Sequence, residues 1–325
     1  MKSIGQATTD MAARYFRLFV NRLAYTVQST KPDRTGKHYY YRPKDGSRLA
    51  VSTIREHLNG RRTIGLYALN PQTQQSKWVA IDADYDNALD DLLKLQWELR
   101  QDGVEAALEK SRRGAHLWIF AEKPLLAQQC RIYIYNLALR LQVPVKGGAG
   151  LAEGIEVFPR QDQLKPQEFG NAIRGPLGVH QAVKKRYWFY GADYRVEAQL
   201  DYVERLRKIK EDEIARFTAG LEMPVQFRPK PRIDLPPYDP SRREFRILDH
   251  VRPARKLSGN YWTRCPSCAQ QGRDQSGDNL AISIADPRKY KCWAGCTKEM
   301  IRSALGHPIQ VRSDATYATS FGSAD

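Results

Sequence analysis

The chain carries the run KWVAIDAD at residues 77–84, a β-rich apolar stretch that ends in two aspartates. Because side chains two residues apart on a strand point to the same face, Asp82 and Asp84 are expected to present both carboxylates on one side. Two such carboxylates can hold a pair of divalent ions, which in phosphoryl transfer activate an attacking 3′-hydroxyl and stabilise the leaving pyrophosphate. An Asp-x-Asp sequence is also common in turns without metal, so the pair alone leaves both interpretations open.

Five further runs predict strands of the same body, and they alternate with four predicted helices. The strands are expected at residues 63–69, 104–110, 115–121, 154–159 and 186–191. The helices are expected over residues 8–28, from Ser52 to Gly60, from Asn87 to Gly103 and over residues 125–143. The side chains predicted to be buried are Leu89, Leu92, Leu93 and Leu99 in the third helix and Cys130 in the fourth. Strands mixed with crossing helices favour an α/β (α+β) fold.

The composition changes after about residue 220. Residues 224–240 contain six prolines interleaved with arginine and lysine, which is typical of a semi-rigid linker. We therefore expect a large body at residues 1–220, a Pro/Arg-rich linker at residues 221–242, a cysteine-rich module at residues 243–308 and a disordered tail at residues 309–325.

The charge indicates the kind of partner. A formal net charge of +16 over 325 residues favours a polyanion, such as nucleic acid or nucleotide phosphates. A basic protein without such a partner is the alternative that charge alone leaves open. The first residues contain no apolar leader, and no stretch approaches the ~20 apolar residues of a membrane span. A cytoplasmic protein without a membrane partner is therefore expected.

A second polar segment, SRRGAH at residues 111–116, precedes the strand HLWIF. The hydroxyl of Ser111, the loop amides and His116 could grip a triphosphate, and Gly114 would let the backbone approach the ligand. A third acid, Glu156 in GIEVFP, lies on a separate predicted strand and could complete a metal site. Each of these residues also has an ordinary structural reading, as a strand-edge histidine or glutamate.

The order of these segments resembles a known family. IDAD, then SRRGAHLWIF, then GIEVFPRQ followed by GNAIRGPLG, are similar to the three motifs of the archaeo-eukaryotic primase superfamily. The resemblance is to the primase-polymerases of TOTE conflict systems and their CRISPR-associated relatives, and it includes HLNGRRTIGLYAL and RYWFYG. It spans roughly residues 12–220 and implies an α/β unit packed against an RRM-like sheet, with the acids between them.

The resemblance also implies roles for individual residues. The ligands of catalytic Mg²⁺ or Mn²⁺ would be Asp82, Asp84 and Glu156, and the contacts to the triphosphate of an incoming nucleotide would be Ser111 and His116. The further nucleotide-binding residues it implies are Arg113, Arg174 and His180. Relatives often have glycine directly after the motif serine, where this chain has Arg112, so the shape of that loop is expected to differ.

Four of the five cysteines lie in two short pairs near the C-terminal end, Cys265-x-x-Cys268 and Cys292-x-x-x-Cys296. Tight pairs separated by 23 residues suit a zinc ribbon with four thiolate ligands. The run NLAISIADPRKYKC between them alternates like a β-hairpin. No neighbouring residue suggests an open coordination position, so the zinc is expected to be structural rather than catalytic.

The module as a whole, residues 248–306, resembles the zinc ribbon of bacterial-type primases, which contacts template DNA and assists initiation. Cys268 stands where many relatives have a histidine ligand, an exchange that zinc tolerates. The residues expected to bind the template are Arg288, Lys289, Tyr290, Lys291 and Trp293, since cations and aromatic rings together are typical of single-strand binders. A docking module for another protein is the alternative.

The sequence therefore predicts a primase-polymerase, a nucleotidyltransferase that copies single-stranded DNA from NTPs or dNTPs and starts chains without a primer. Two alternatives remain open at this point: a primer-dependent repair or gap-filling polymerase, and a non-catalytic nucleic-acid-binding adaptor. Proteins of CRISPR adaptation or of mobile-element DNA replication are the partner proteins that the resemblance suggests.

Overall fold

The computed structural model describes residues 7–33, 36, 38–147, 151, 153–228, 239 and 245–309. The chain forms two compact units, Met1–Lys230 and Pro231–Asp325. Most of the expected linker at residues 221–242, and all of the expected tail except residue 309, lie outside the described residues. Among the helices in the described ranges, none has the length and apolarity needed to cross a membrane.

The first unit consists of six helices and ten strands within its described residues. The helices are α1 (Thr9–Phe19), α2 (Val51–Leu58), α3 (Ala88–Gln101), α4 (Ala127–Arg140), α5 (Val196–Arg205) and α6 (Glu211–Thr218). The strands are β1 (Tyr25–Gln28), β2 (Tyr40–Tyr41), β3 (Ile64–Tyr67), β4 (Gln75–Ala83), β5 (Ala106–Lys110), β6 (Ala115–Leu126), β7 (Glu156–Phe158), β8 (Ala172–Arg174), β9 (Val179–His180) and β10 (Lys185–Arg186).

Two four-stranded antiparallel sheets organise this unit. The central sheet has the order β5-β6-β4-β7, and the outer sheet has the order β2-β1-β3-β8. Strands β9 and β10 form a separate antiparallel pair. Helices α3, α4 and α6 pack on the central sheet, and α1 packs against α2 and α5. The expected mixed α and β fold is therefore confirmed.

Strand β4 is apolar on both faces because each face has its own core. Val79 and Ile81 belong to a cluster with residues of α3 and α4, whereas Trp78 and Ala80 belong to a second cluster with residues of α1 and the outer sheet. A strand buried on both sides reads as a continuous apolar run, which explains the sequence WVAI. Alternation then places Asp82 on the face of the second cluster.

Two predicted helix boundaries were wrong. The helix expected over residues 8–28 ends at Phe19, and Tyr25–Gln28 form the fully buried strand β1. Tyr25, Thr26 and Val27 pair with β3, so tertiary strand pairing overrides the helical pattern predicted for this segment. The second helix begins at Val51 with Ala50 as its N-cap, so Ser52 lies in the first turn rather than at the cap.

The predicted burial of α3 was wrong by part of a turn. Leu92 and Leu99 are buried as expected, but Leu89 and Leu93 are 43% and 44% exposed, and Leu95 is buried in their place. The strand expected at residues 186–191 is confined to Lys185–Arg186, and Phe189 makes a single bridge to Glu109. Cys130 is buried in the core, as predicted.

His57 of α2 is buried without exposed surface and is held in a neutral form. Its Nδ1 accepts a hydrogen bond from the Ile64 amide at 3.2 Å, and its Nε2 donates to the Pro176 carbonyl at 2.9 Å. Burial lowers the pKa of His57 to about 4. In the pH range below ~6.5, His57 of the unfolded chain therefore binds a proton while His57 of the folded chain stays neutral.

We expect this histidine to make folding weaker in acid. Between pH 6.5 and 4 the unfolded state binds a proton at His57 that the folded state does not bind. The free energy of unfolding therefore decreases as the pH is lowered, by about 2 kcal/mol from pH 7 to pH 5. His57→Gln keeps a donor and an acceptor but does not titrate. Denaturant unfolding at the two pH values should show a smaller loss in this variant than in the wild type, and equal losses would contradict the assignment.

The second unit is a four-stranded antiparallel sheet with two short helices. Its strands are β11 (Arg255–Leu257), β12 (Asn260–Thr263), β13 (Leu280–Ser283) and β14 (Tyr290–Cys292), in that order, and its helices are α7 (Pro266–Gln270) and α8 (Lys298–Ala304). The pairing of β13 with β14 is the hairpin that the alternating sequence predicted. Ile247, Leu280, Ile282 and Ile301 are buried together with the four paired cysteines.

Candidate functional site

Four ionisable side chains form a row across one face of the central sheet. Asp82 pairs in register with His116 on one side and with Glu156 on the other, and His116 pairs with Glu109. Residues directly opposite in antiparallel strands lie on the same face, so the row runs Glu109, His116, Asp82, Glu156. It borders the second core and marks the place where the apolar face of the sheet becomes polar.

His116 lies between two carboxylates. Its Nδ1 is 2.8 Å from Glu109 Oε2, and its Nε2 is 3.4 Å from Asp82 Oδ1. Burial opposes a positive charge on the ring, but the attraction of Asp82 and Glu109 outweighs it and raises the pKa of His116 to about 9. The imidazolium therefore orders both acids.

Asp82, Asp84 and Glu156 line one cavity of about 300 Å³. The other residues around it are Tyr85, Arg113, Lys146, Glu153 and Gly154. Four of the lining side chains carry carboxylates and two carry cations, so negative charge is in excess. Asp84 directly follows the end of β4, which brings its side chain to the same opening as Asp82.

The carboxylates of Asp84 and Glu156 are each held by cations. Asp84 accepts hydrogen bonds from Arg113 Nη2 at 2.6 Å and from Ser111 Oγ at 3.2 Å. Glu156 pairs with Lys146 Nζ at 2.5 Å and with Arg160 Nη1 at 2.8 Å. The positive charges of these three side chains offset the repulsion between the carboxylates of the cavity.

The donor set fits a divalent ion. Asp82 Oδ1 is buried, and its ion pair with His116 Nε2 at 3.4 Å is too long for a well-formed hydrogen bond. Carboxylate oxygens are the ligands that Mg²⁺ prefers. The oxygens of the three acids are nevertheless not as close as those of a closed metal site. Among the described residues, only the four cysteines have ligand atoms all within 4.8 Å. An ion held here would compete with Arg113 and Lys146 for the carboxylates of Asp84 and Glu156.

The loop between β5 and β6 is a tight turn closed by Ser111. The Gly114 amide donates to Ser111 Oγ at 3.1 Å, and the Ser111 amide donates to the Gly114 carbonyl at 3.0 Å. A Cβ at Gly114 would overlap the Ala83 carbonyl oxygen. This glycine is therefore explained by close approach to the chain's own strand β4, whereas the sequence suggested approach to a ligand.

Glu109 is a member of the row that the sequence analysis did not single out. It is fully buried and accepts hydrogen bonds from His116, from Trp118 Nε1 at 3.0 Å and from Arg174 Nη2 at 2.6 Å. Arg174 of the outer sheet is almost fully buried, so its guanidinium links the two sheets. The signal was the one acid within the strand sequence AALEK at residues 106–110.

His180 lies beside the outer sheet, where its Nε2 is 3.2 Å from Gln28 Nε2. Burial, assisted by the charges of Arg174 and Arg112, lowers the pKa of His180 to about 4. It is therefore neutral at pH 7 and can offer hydrogen bonds but no charge. Lys146 and Glu153 were also missed, although both lie in the Gly-rich segment before GIEVFP.

The four cysteines of the second unit form a closed cluster. Their Sγ atoms all lie within 4.8 Å of one another, with Cys268 Sγ 3.6 Å from Cys292 Sγ and 3.3 Å from Cys296 Sγ. A tetrahedral ion with Zn–S bonds of ~2.3 Å requires S···S distances of about 3.8 Å. All four side chains are buried, so the set fits a structural zinc without an open position.

The sheet of this unit presents one face away from its core. Arg255, Trp262, Ala281 and Lys291 are in register across the four strands, on the face opposite to Ile282. Trp293 is 62% exposed and stacks on Trp262, with ring centroids 6.4 Å apart and planes 12° apart. We call these four residues, together with Trp293, the outer face; Trp262 and Arg255 are additions to the sequence prediction.

Of the five residues predicted to bind the template, two lie on this face and three do not. Lys291 and Trp293 belong to it, with Lys291 Nζ 4.6 Å from the Trp293 ring centroid. Tyr290 lies in register with Ile282 and so on the opposite face. Arg288 and Lys289 lie in the turn before β14, where both pair with Asp286.

Comparisons with known proteins relate part of the chain to one family of domains. A family model described as the archaeo-eukaryotic primase domain of TOTE conflict systems matches residues 11–217. No curated protein matches the chain. Among solved structures, the catalytic domain of primase Repb′ in complex with initiator DNA is similar, with 10% identity, a TM-score of 0.32, and 61% of this chain and 93% of that chain covered. The polymerase domain of Mycobacterium tuberculosis Ligase D in complex with DNA matches with 10% identity, a TM-score of 0.28, and coverage of 65% and 87%.

Proposed function

Residues 11–217, more than half of the chain, match this family model, so the chain belongs to the archaeo-eukaryotic primase domain family of TOTE conflict systems, and we propose that it is a template-dependent DNA primase-polymerase. Membership in this family supports nucleotidyl transfer as the activity. The observation that carries the finer proposal is the row of Glu109, His116, Asp82 and Glu156, with Asp84 at the same cavity.

In this proposal the carboxylates of Asp82, Asp84 and Glu156 hold Mg²⁺ or Mn²⁺. When bound there, the ions would activate a 3′-hydroxyl and neutralise the leaving pyrophosphate. His116 keeps Asp82 ionised and oriented, and Glu109 fixes the ring of His116 from behind. A binding-only adaptor has no need for this arrangement, because phosphate binding alone does not call for converging carboxylates.

In this proposal the two cations of the cavity, Arg113 and Lys146, bind the triphosphate of an incoming nucleotide. Arg113 and Lys146 contact Asp84 and Glu156, and ions at the carboxylates would leave both cations available for phosphate oxygens. Ser111 donates to the same Asp84 carboxylate as Arg113, and we assign it to the same phosphate group. Arg174 reaches the row from the outer sheet through Glu109, and His180 of β9, a neutral hydrogen-bonding group, lies beside Gln28 of that sheet.

The second unit is proposed to bind single-stranded template. Its zinc would stabilise the fold, since four buried thiolates in a small module couple metal binding to folding. The outer face joins two stacked tryptophans to Arg255 and Lys291, which combines stacking with backbone charge neutralisation, as single-strand binders do.

We expect the outer face to account for much of the single-strand affinity of the chain. Trp293→Ala should weaken binding of a labelled oligonucleotide about 10-fold, within the ~1–3 kcal/mol that one stacked base contributes. Fluorescence anisotropy at fixed salt measures this. Met300→Ala, which alters another exposed side chain of the same unit, should have no effect. Equal affinities of the Trp293 variant and the wild type would favour a protein-docking role for the module.

The experiment that tests the proposal is incubation of the full chain with single-stranded DNA, labelled nucleotides and manganese, with and without a primer. We expect products on both substrates. Products only with a primer would indicate the primer-dependent repair polymerase instead. A chain that binds the DNA but adds no nucleotide to either substrate would indicate the non-catalytic adaptor.

A further inference from the structure

One face of the outer sheet is polar and leads directly to the row of ionisable residues. Tyr40 pairs in register with Gln28, Thr26 pairs with Gly65, and Gly65 pairs with Arg174. Register partners and residues two apart on a strand share a face, so these five residues lie together on what we call the polar face. The alternate residues of the same strands, such as Val27, Ile64 and Ile173, are buried in the second core.

The middle of the polar face has no side chain because Gly65 lies there. A Cβ at Gly65 would overlap Thr26 Oγ1 and lie 3.4 Å from Tyr40 Cδ1. The ring of Tyr40 therefore leans from the edge strand β2 across β1 toward β3. That position is about one strand spacing, ~4.8 Å, from the strand that carries Arg174.

Two side chains on this face keep a group or a surface that contacts no other part of the described protein. Thr26 Oγ1 is buried and has no hydrogen-bond partner among the described residues. Tyr40 retains 40% of its surface exposed although its ring leans over the sheet. Burial raises the pKa of Tyr40 to about 12, with a smaller lowering effect of Arg174 and a further raising effect of Glu109, so the phenol is neutral at pH 7.

A continuous chain of contacts joins this face to the carboxylates. Arg174 donates to Glu109 at 2.6 Å, Glu109 holds His116 at 2.8 Å, and His116 faces Asp82. Because Gly65 pairs in register with Arg174, the polar face adjoins the row of ionisable residues that leads to the cavity of Asp82. The face offers what a nucleoside requires, an aromatic ring for stacking and an unpaired hydroxyl below it.

We propose that the polar face binds the nucleoside of the incoming nucleotide, with the base stacked on the Tyr40 ring above Gly65. This inference rests on the proposed function and adds the residue that holds the base. Stacking accepts every base, because each has a π-face. Tyr40 would thus contribute affinity without choosing the nucleotide, and the choice remains with the template.

The test is direct nucleotide binding to the full chain, measured by calorimetry with each of the four dNTPs and Mg²⁺ but without DNA. We expect Tyr40→Ala to weaken all four nucleotides by a similar factor of about 10, from the loss of one stacking contact. Tyr40→Phe keeps the ring and should bind within about twofold of the wild type. Tyr41→Ala is the matched control, because Tyr41 pairs with Val27 and so lies on the other face of β2.

Thr26→Val and Gly65→Ala are second variants that leave Tyr40 in place. The first removes the unpaired hydroxyl and the second fills the space beneath the ring, so both should weaken nucleotide binding, with thermal melting as the check on folding. Affinity unchanged in Tyr40→Ala, or reduced as much in Tyr41→Ala, would overturn the inference. These results are separate from the proposed function: wild-type binding without any transfer would remove the polymerase assignment alone, and transfer with Tyr40→Ala at full affinity would remove only this inference.

Discussion

Asp82→Asn and Asp84→Asn are each expected to lower nucleotide addition by about 1,000-fold or more, the scale on which charge-stabilising groups act in an active site. Both substitutions keep the shape of the side chain and remove the charge that would hold the ion. Asp84 is the cleaner of the two, because its partners Arg113 and Ser111 lie on the turn, whereas Asp82 also contacts the buried His116. Extension of a labelled primer over a time course measures the effect.

The control for these variants is Asp90→Asn, which removes an exposed carboxylate from the first turn of α3, outside the cavity. It should extend the primer at the wild-type rate. Single-strand binding should be unchanged in all three proteins, since the carboxylates are not DNA contacts in this account. Wild-type extension by either Asp82→Asn or Asp84→Asn would remove the metal-site assignment.

Removal of residues 231–325 is expected to separate two activities. The first unit retains Asp82, Asp84, Glu156 and both cations of the cavity, so it should still extend a preformed primer. Synthesis without a primer should fall about 100-fold or more, because no duplex then holds the template, and the two stacking tryptophans contribute ~1–3 kcal/mol each.

A full-length variant guards against an unstable truncation. Cys268→Ser with Cys292→Ser removes two of the four clustered ligands, so zinc content measured by metal analysis should fall from one ion per chain to none. Its primed and unprimed activities should follow those of the truncated chain. Equal loss of both activities would make the second unit part of the catalytic fold, and unprimed synthesis at the wild-type level would make it a docking module.

Much of the architecture was readable from local sequence. Strand β4 was predicted because a run buried on both faces is uniformly apolar, and the cysteine pairs were predicted because thiolate spacing is a local property. The convergence of Asp82 and Glu156 came from resemblance rather than from spacing. The structure adds the reason for it, which is the register of β4 with β7.

The residues that were missed depend on pairing between distant segments. Glu109 belongs to the candidate site because it contacts His116 and Arg174, and Arg174 lies 65 residues further along the chain. Trp262 becomes part of a binding face only because β12 and β14 flank β13. Tyr25–Gln28 were included in the predicted helix over residues 8–28, and the pairing with β3 that makes them a strand involves residues about 40 positions further along the chain. The CRISPR and replication partners stay predictions.

The central claim is that this chain transfers nucleotides under the direction of a template. The most direct measurement is single-nucleotide extension of a primer on four templates that differ in one base, each supplied with all four nucleotides separately and with Mg²⁺ or Mn²⁺. The account predicts that the complementary nucleotide is added in each case and that Asp84→Asn adds none. Addition that is independent of the template base, or no addition by the wild-type chain with either metal, would contradict it.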